Sequence, residues 1–491
     1  MTQPFTETAG WALLAAFWLA SCLAVWLGLR RRDTRSKDGF LVAGRKMGWI
    51  RTSFSIAATW IWAPALFVAA QQGYQHGWVG VFWFTVPNVA CLALFAWFAQ
   101  RARTLFPKGY TLSAATRTMY STRVQRLYIA AFTILAVCSF AVQLLAGGLV
   151  VAALTGIDYT AVTIALAFIA LSYSLWAGLG SSIISDWMQM VLIGAVAIVI
   201  SIAVAVKAGA ATMTAGLAGI GGDYLHLWEG PGAALFWSFG LSTTIGLMSG
   251  PFGDQSFWQR AWAVDERHVK RSFLLGAAIF AVVPLGMSLL GFAAAGAGLQ
   301  PDDPQLTNLE AILHWLPAWV AIPFLLYIFS GLVSTLSSML CSVASMAGHD
   351  LTSADAPHRY LRNARLGMVA LAIGGVAIAN LPGIAIVQLF IFYGTVRAAT
   401  MLPTVGMLTW QRRLSEAGAF WGILAALAVG LPLSAYGNLA KSTPHIVAGS
   451  LAVLLLSGAG VAVGTWLEEV KDRKTRARLA AATDSTSAST R

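Results

Sequence analysis

Apolar runs of about 18 residues or more, each long enough to cross the roughly 30 Å hydrocarbon core of a bilayer as a helix, recur from residue 11 to residue 466. Thirteen spans are predicted, over 11–29, 49–73, 78–100, 127–154, 159–177, 183–206, 232–253, 272–298, 318–346, 366–381, 384–408, 418–436 and 445–466. The predicted fold class is therefore an all-α polytopic membrane protein. No basic residue precedes the first span, and Arg30, Arg31 and Arg32 follow it directly. It reads as an uncleaved helix with its N-terminus outside, not as a signal peptide.

Composition agrees with the pattern. Of 491 residues, 58% are hydrophobic and 11% charged, and the mean hydropathy is +0.70, which excludes a soluble enzyme. The net charge of +12 would suggest an anionic partner in a soluble chain. Here 29 of the 32 Lys and Arg residues fall in alternate loops and the tail, at 30–51, 101–126, 260–271, 359–365, 412–413 and 471–491. That asymmetry predicts N-out, C-in topology, and it makes the basic excess a topogenic signal with no nucleic-acid partner implied. Cys22, Cys91, Cys138 and Cys341 all lie in apolar stretches without metal-ligand spacing, so neither disulfides nor a zinc site is expected. The polar tail over 468–491 is expected to be disordered.

Two spans carry helix breakers at corresponding places. The second reads SFSIAATWIWAPALFVAAQQGY, with Pro64 mid-segment, and the seventh reads FWSFGLSTTIGLMSGPFGDQ, with Gly250 and Pro251 near its inner end. Such residues make either simple kinks or true breaks, and true breaks expose carbonyls and half-helix ends that ligate hard cations and solutes. With the first span as an accessory, the pair would open two five-helix halves. The expected organisation is an accessory helix and basic loop over 1–48, a first repeat over 49–206, an outer loop over 207–231, a second repeat over 232–410, two accessory helices over 411–467 and the tail.

Several polar residues within the spans are candidates for chemistry. The ninth span contains GLVSTLSSMLCSVAS, whose Ser334, Thr335, Ser337, Ser338, Ser342 and Ser345 set hydroxyls along one side of a helix. They serve either close helix packing or ion ligation. Asp186, in AGLGSSIISDWMQMV, is an acid at an inner mouth with no basic neighbour in its own loop, either solvated or facing a cation. Arg397 lies about fourteen residues, or ~20 Å, from the inner end of its span. It either clamps a substrate carboxylate or pairs with the backbone of a broken helix. Trp60 and Trp62 stand mid-span, too deep for an interfacial belt, with Gln71 and Gln72 some turns on. One of the two tryptophans is expected to line a cavity suited to a small polar solute.

These segments resemble the sodium:solute symporter family over roughly residues 38–415. FLVAGRKMGW, AGLGSSIISDWMQ, GDQSFWQRAWAVDE and GLVSTLSS carry the resemblance, in that order. It implies the leucine-transporter (LeuT) fold, a 5+5 inverted repeat with one extra N-terminal helix and two extra C-terminal ones. It also implies a sodium site on Ala58, Ile61, Gly331, Ser334 and Thr335, formed by backbone oxygens and two hydroxyls. Some members have a second sodium site, which the resemblance places on Asp186, Ser337 and Ser338 with Ser334 shared, so one or two Na⁺ ions would couple. Substrate-binding positions are expected at Trp60, Trp62, Gln71 and Arg397. Proline-carrying members have an acid where this chain has Trp60, and sugar-carrying members an aromatic gate where it has Gly250. TWIWAPAL looks like the urea and polyamine branch, and Arg397 disfavours a cationic polyamine.

The reading that follows is an inner-membrane symporter importing a small polar solute with sodium, the candidates being a urea-like molecule, an amino acid or a monocarboxylate. The alternatives are a sodium-independent or proton-coupled carrier and a non-transporting sensor. No organic cofactor and no obligatory protein partner is implied. The seven histidines show no paired ligands and no catalytic constellation is present, so an enzyme is not expected.

Overall fold

The computed structural model describes residues 5–301, 303–352, 357–382, 386–410 and 414–488. The inner-loop residues Arg412 and Arg413, and Arg491 of the tail, lie outside the described residues. Within them the fold is helical, and its only β-pairing is an isolated bridge between Met47 and Val264. In chain order the helices are α1 (Glu7–Leu29), α2 (Lys37–Val42), α3 (Trp49–Trp60), α4 (Ala63–Leu105), α5 (Leu112–Met119), α6 (Thr122–Thr155), α7 (Tyr159–Ala177), α8 (Leu179–Gly216), α9 (Gly230–Leu235), α10 (Leu241–Ser249), α11 (Gln255–Ala263), α12 (Val269–Gly296), α13 (Thr307–Trp315), α14 (Ala321–Ser345), α15 (Tyr360–Ala379), α16 (Ile386–Thr409), α17 (Glu416–Leu439) and α18 (Thr443–Ala488).

Ten helices among the described residues are long and apolar enough to cross a membrane. The remaining three predicted spans fall on the broken α3–α4 segment, on the broken α9–α11 segment and on α16. Burial separates the centre from the periphery: 83% of the most apolar stretch of α14 is buried, against 28% in α1 and 22% in α18. A helix enclosed on all sides must satisfy its polar side chains within the protein, which is why the serines of α14 matter.

Both breaks exist, and the first lies upstream of its proline. α3 stops at Trp60, Ile61 (ψ 85) leaves the helical conformation, Trp62 (ψ 164) is extended, and Pro64 sits in the first turn of α4. A proline needs no N–H partner in a first turn, whereas mid-helix its ring would collide with the carbonyl of Trp60 four residues back. The second break falls where expected, between Ser249 and Gln255. A π-turn at Phe236–Gly240 further disturbs the first half of that span.

α4 is two helices joined at His76 and Gly77, where the chain turns back into the membrane. Gly77 has φ +55, and a Cβ there would lie 2.1 Å from the carbonyl oxygen of Leu217. Among the described residues α18 runs on through Ala488. Its run EEVKDRKTRARLAAA is made of strong helix formers, and a helix already nucleated in the membrane extends through it at little entropic cost.

Replacing Gly77 with Ala forces a side chain into a left-handed conformation against a backbone oxygen. The expected cost is ~1–3 kcal/mol, measurable as a lower apparent Tm of the detergent-solubilised protein.

Candidate functional site: an oxygen cage, a buried ion pair and a cavity

The break in α3 directs backbone carbonyls towards α14, because the two helices pack against each other. Ser334 donates its hydroxyl to the carbonyl of Ala58 at 3.0 Å and also approaches that of Gly331 at 3.1 Å. Thr335 donates to the carbonyl of Ile61 at 3.1 Å, with Gly331 at 3.3 Å. All five residues named for the sodium site thus come together, and Ala58, Ile61, Ser334 and Thr335 are buried. The cluster holds three carbonyls and two hydroxyls, neutral hard oxygens of the kind that suit an alkali cation better than a soft metal. Each hydroxyl has lone pairs to offer once its proton turns elsewhere.

Next to it, joined through Ser338 and Ser334, lies a second polar cluster. Asp186, on α8, has no solvent exposure, and its Oδ2 accepts from Ser55 Oγ (2.6 Å), Ser182 Oγ (3.1 Å) and Arg260 Nη2 (2.8 Å). Arg260, on α11, also donates to Ser55 Oγ (2.9 Å), the Ser256 carbonyl (2.9 Å) and Ser338 Oγ (2.8 Å). Ser337 Oγ lies 3.2 Å from Ser182 Oγ, and Thr59 Oγ1 lies 2.9 Å from Ser338 Oγ.

Asp186, Ser337 and Ser338 therefore share one cluster, as expected, yet the acid does have a basic partner. That partner is 74 residues away in sequence and had been counted among the inner-loop charges. The fold draws Arg260 out of the loop because two buried charges are tolerable only when paired and fully hydrogen bonded. Asp186 Oδ1 keeps no hydrogen-bond partner among the described residues.

Beside the breaks lies a cavity of about 270 Å³ whose lining includes Trp62, Ser242, Thr243, Tyr393, Arg397 and Asn438. Trp62 follows Ile61 directly, so the cavity and the oxygen cage share the extended turn of α3–α4. Arg397, 5% exposed, lies with its guanidinium carbon 3.5 Å from the centroid of the Tyr393 ring and 5.7 Å from that of Trp60. Its Nη2 is 3.4 Å from Asp254 Oδ2. The ion-pair partner of Arg397 is thus a carboxylate at the second break, and its side chain also lines the cavity.

Trp60 lies between the two breaks, where a Cβ on Gly250 would meet its ring at 2.2 Å, and it packs edge-on against Phe257. Of the two tryptophans, Trp62 lines the cavity and Trp60 packs the breaks together. Gln71 is not brought to the site: it is half-buried, and its Nε2 reaches Gln75 Oε1 at 3.4 Å. Ten residues beyond Ile61, it has moved about 15 Å along α4.

Sequence reasoning passed over Arg260, Asp254, Ser55, Ser182 and Tyr393. The first two were visible inside GDQSFWQRAWAVDE, as an acid and a base six residues apart just after a predicted break.

Paired breaks, a buried oxygen cage and an adjacent cavity within a multi-pass helical bundle define a membrane transporter, not an enzyme. The chain belongs to the sodium:solute symporter family, whose sequence profile matches residues 40–426. It is similar to the urea-proton symporter DUR3 of Oryza sativa subsp. japonica, 23% identical over 92% of this chain and 70% of that one. It is also similar to the sodium/pantothenate symporter of Escherichia coli (strain K12), 24% identical over 82% of this chain and 85% of that one. Its fold matches that of a Na⁺-coupled sialic acid symporter in a substrate-bound outward-open state, with a TM-score of 0.75 and 18% identity over 92% of this chain and 97% of that one.

Breaking the Asp186–Arg260 pair from one side leaves a buried charge without compensation. Asp186→Asn or Arg260→Met alone is expected to cost about 3–5 kcal/mol, and the double variant to recover much of it. Thermal unfolding of the three variants in detergent measures the difference.

Proposed function

We propose that the protein imports a small polar organic solute across the cell's inner membrane, driven by an inward sodium gradient, with the N-terminus outside and the C-terminus inside. The observation that carries this is the cage itself: hydroxyls of α14 reach the carbonyl of Ala58 in the last turn of α3 and that of Ile61 within the break. A Na⁺ ion held by Ala58, Ile61, Gly331, Ser334 and Thr335 would tie these two elements together. Because Trp62 adjoins Ile61 in the chain, fixing that turn also fixes one wall of the cavity. Both ligands then favour the same arrangement of the break, and this shared preference is what couples them.

Alternating access requires contacts that open in turn. On the inner side Gln255 of α11 donates to the Tyr110 carbonyl (3.0 Å) and to Ser345 Oγ of α14 (3.3 Å), and it accepts from Leu112 N (3.0 Å). These bonds span the broken segment and its surroundings, and inward opening would have to break them. A second sodium would ligate the free Oδ1 of Asp186 with Ser337, while Arg260 keeps Oδ2.

A proton-coupled reading has one specific support, the name of the rice relative. Uptake into proteoliposomes at fixed pH, with sodium replaced by choline, separates the two: proton coupling leaves transport intact, whereas sodium coupling abolishes it.

Ser334→Ala and Thr335→Ala should each raise the sodium concentration needed for half-maximal uptake at least about tenfold, since each removes one oxygen worth roughly 1.4 kcal/mol or more of ion binding. Sodium-dependent thermal stabilisation of the purified variants provides the same readout without a known substrate. Unchanged sodium affinity in both variants would remove the assignment.

A further inference from the structure

The charges around the cavity limit what can enter it. Arg397 is the one charged side chain among the described residues that line it, the rest being apolar, hydroxyl or amide. Its charge is already matched: Nη2 faces Asp254 Oδ2, and the pair is 6% exposed on both sides. Asp254 cannot readily turn away, because its Oδ1 caps the start of α11, accepting from Ser256 N at 2.9 Å and Ser256 Oγ at 2.7 Å. A close-packed backbone holds the pair in place, since a Cβ on Gly253 would lie 2.8 Å from the Arg397 Cα.

Two polar atoms nonetheless lack partners among the described residues. Arg397 Nε is buried and donates to nothing, and Ser242 Oγ is likewise buried without a hydrogen bond. Both residues line the cavity. An unmet buried donor is costly, so a ligand that draws these two side chains a short way into the cavity, accepting from Nε and donating to Ser242, would gain what the protein alone forgoes.

From this geometry we infer that the solute is electrically neutral and amide-like, with a carbonyl oxygen accepting from Arg397 and an N–H donating to Ser242. In this reading Asp254 is the specificity-determining residue. The inference rests on the transporter reading above and narrows its substrate class.

A carboxylate at Arg397 would place a second anion beside Asp254, giving a buried group of net charge −1 in a low-dielectric site. A cationic solute would meet the guanidinium with no free acid in the lining. A neutral carbonyl adds no charge and satisfies the orphan donor. Tyr393 covers one face of the guanidinium, so the solute approaches in the guanidinium plane, which suits a flat amide or urea group. At about 270 Å³ the cavity exceeds urea itself, so larger amides should also fit.

The test compares isosteres that differ only in charge. Full-length protein in detergent is heated in sodium with urea, with acetamide against acetate, and with nicotinamide against nicotinate. Urea and at least one amide should raise the Tm in sodium, and neither carboxylate should. In Asp254→Asn, which leaves Arg397 uncompensated, the ratio of carboxylate to amide affinity should rise at least tenfold.

Stabilisation of the wild type by a carboxylate but not by its amide overturns the inference without any variant, so the result does not depend on Asp254→Asn folding. Failure of every amide and of urea overturns it as well, as does an unchanged ratio in a folded Asp254→Asn. Stabilisation by sodium alone, recorded in the same scans, reports on the transporter reading separately. If it persists while the amides fail, only the substrate class is wrong; if it is absent, the coupling reading fails.

Discussion

The structure depends on one constraint: a helix interrupted inside the membrane must find partners for the backbone groups that it frees. In hydrocarbon no water can serve, and each unmet carbonyl or N–H costs several kcal/mol. The α3–α4 break meets this requirement through α14, whose hydroxyls reach Ala58 and Ile61. That explains why the most enclosed helix of the bundle is also rich in serine. The oxygens gathered there to satisfy a broken backbone are also of the kind able to surround a cation.

The second break solves a related problem with charge. The segment from Gly250 to Ala263 carries Asp254 and Arg260, and each meets the opposite charge on another element, Arg397 of α16 and Asp186 of α8. The two pairs are buried and internally balanced, so together they add no net charge to the interior. They also fix the broken segment to two different walls of the bundle, one towards the cavity and one towards the serine cluster of α14. Movement of this segment would therefore alter the solute cavity and the polar cluster below it together.

The peripheral helices play a smaller but definite part. α17 and α18 pack closely on each other and on α16, and Gly418, Gly422 and Gly460 let their backbones approach within van der Waals contact. Asn438 of α17 and Val453 of α18 line part of the cavity wall, so these two helices extend the chamber that Arg397 lines.

By itself the sequence determined the class of protein: apolar runs of spanning length, two of them with breakers in matching places, and a serine-rich central helix. These are local properties, because hydropathy and helix breaking depend on residues within a turn or two of one another. It also placed the five oxygens of the cage, through a resemblance whose residues are all present. Which side chains share a buried charge was decided only by the tertiary structure. Arg260 looked like a loop residue and Arg397 like an isolated cation, yet their partners lie 74 and 143 residues away. The same holds for Trp60 and Trp62, alike in sequence, which the extended turn points in different directions. Pairing across such distances depends on how each helix is rotated about its axis and set against its neighbours, and packing fixes that rotation only when the whole bundle is assembled.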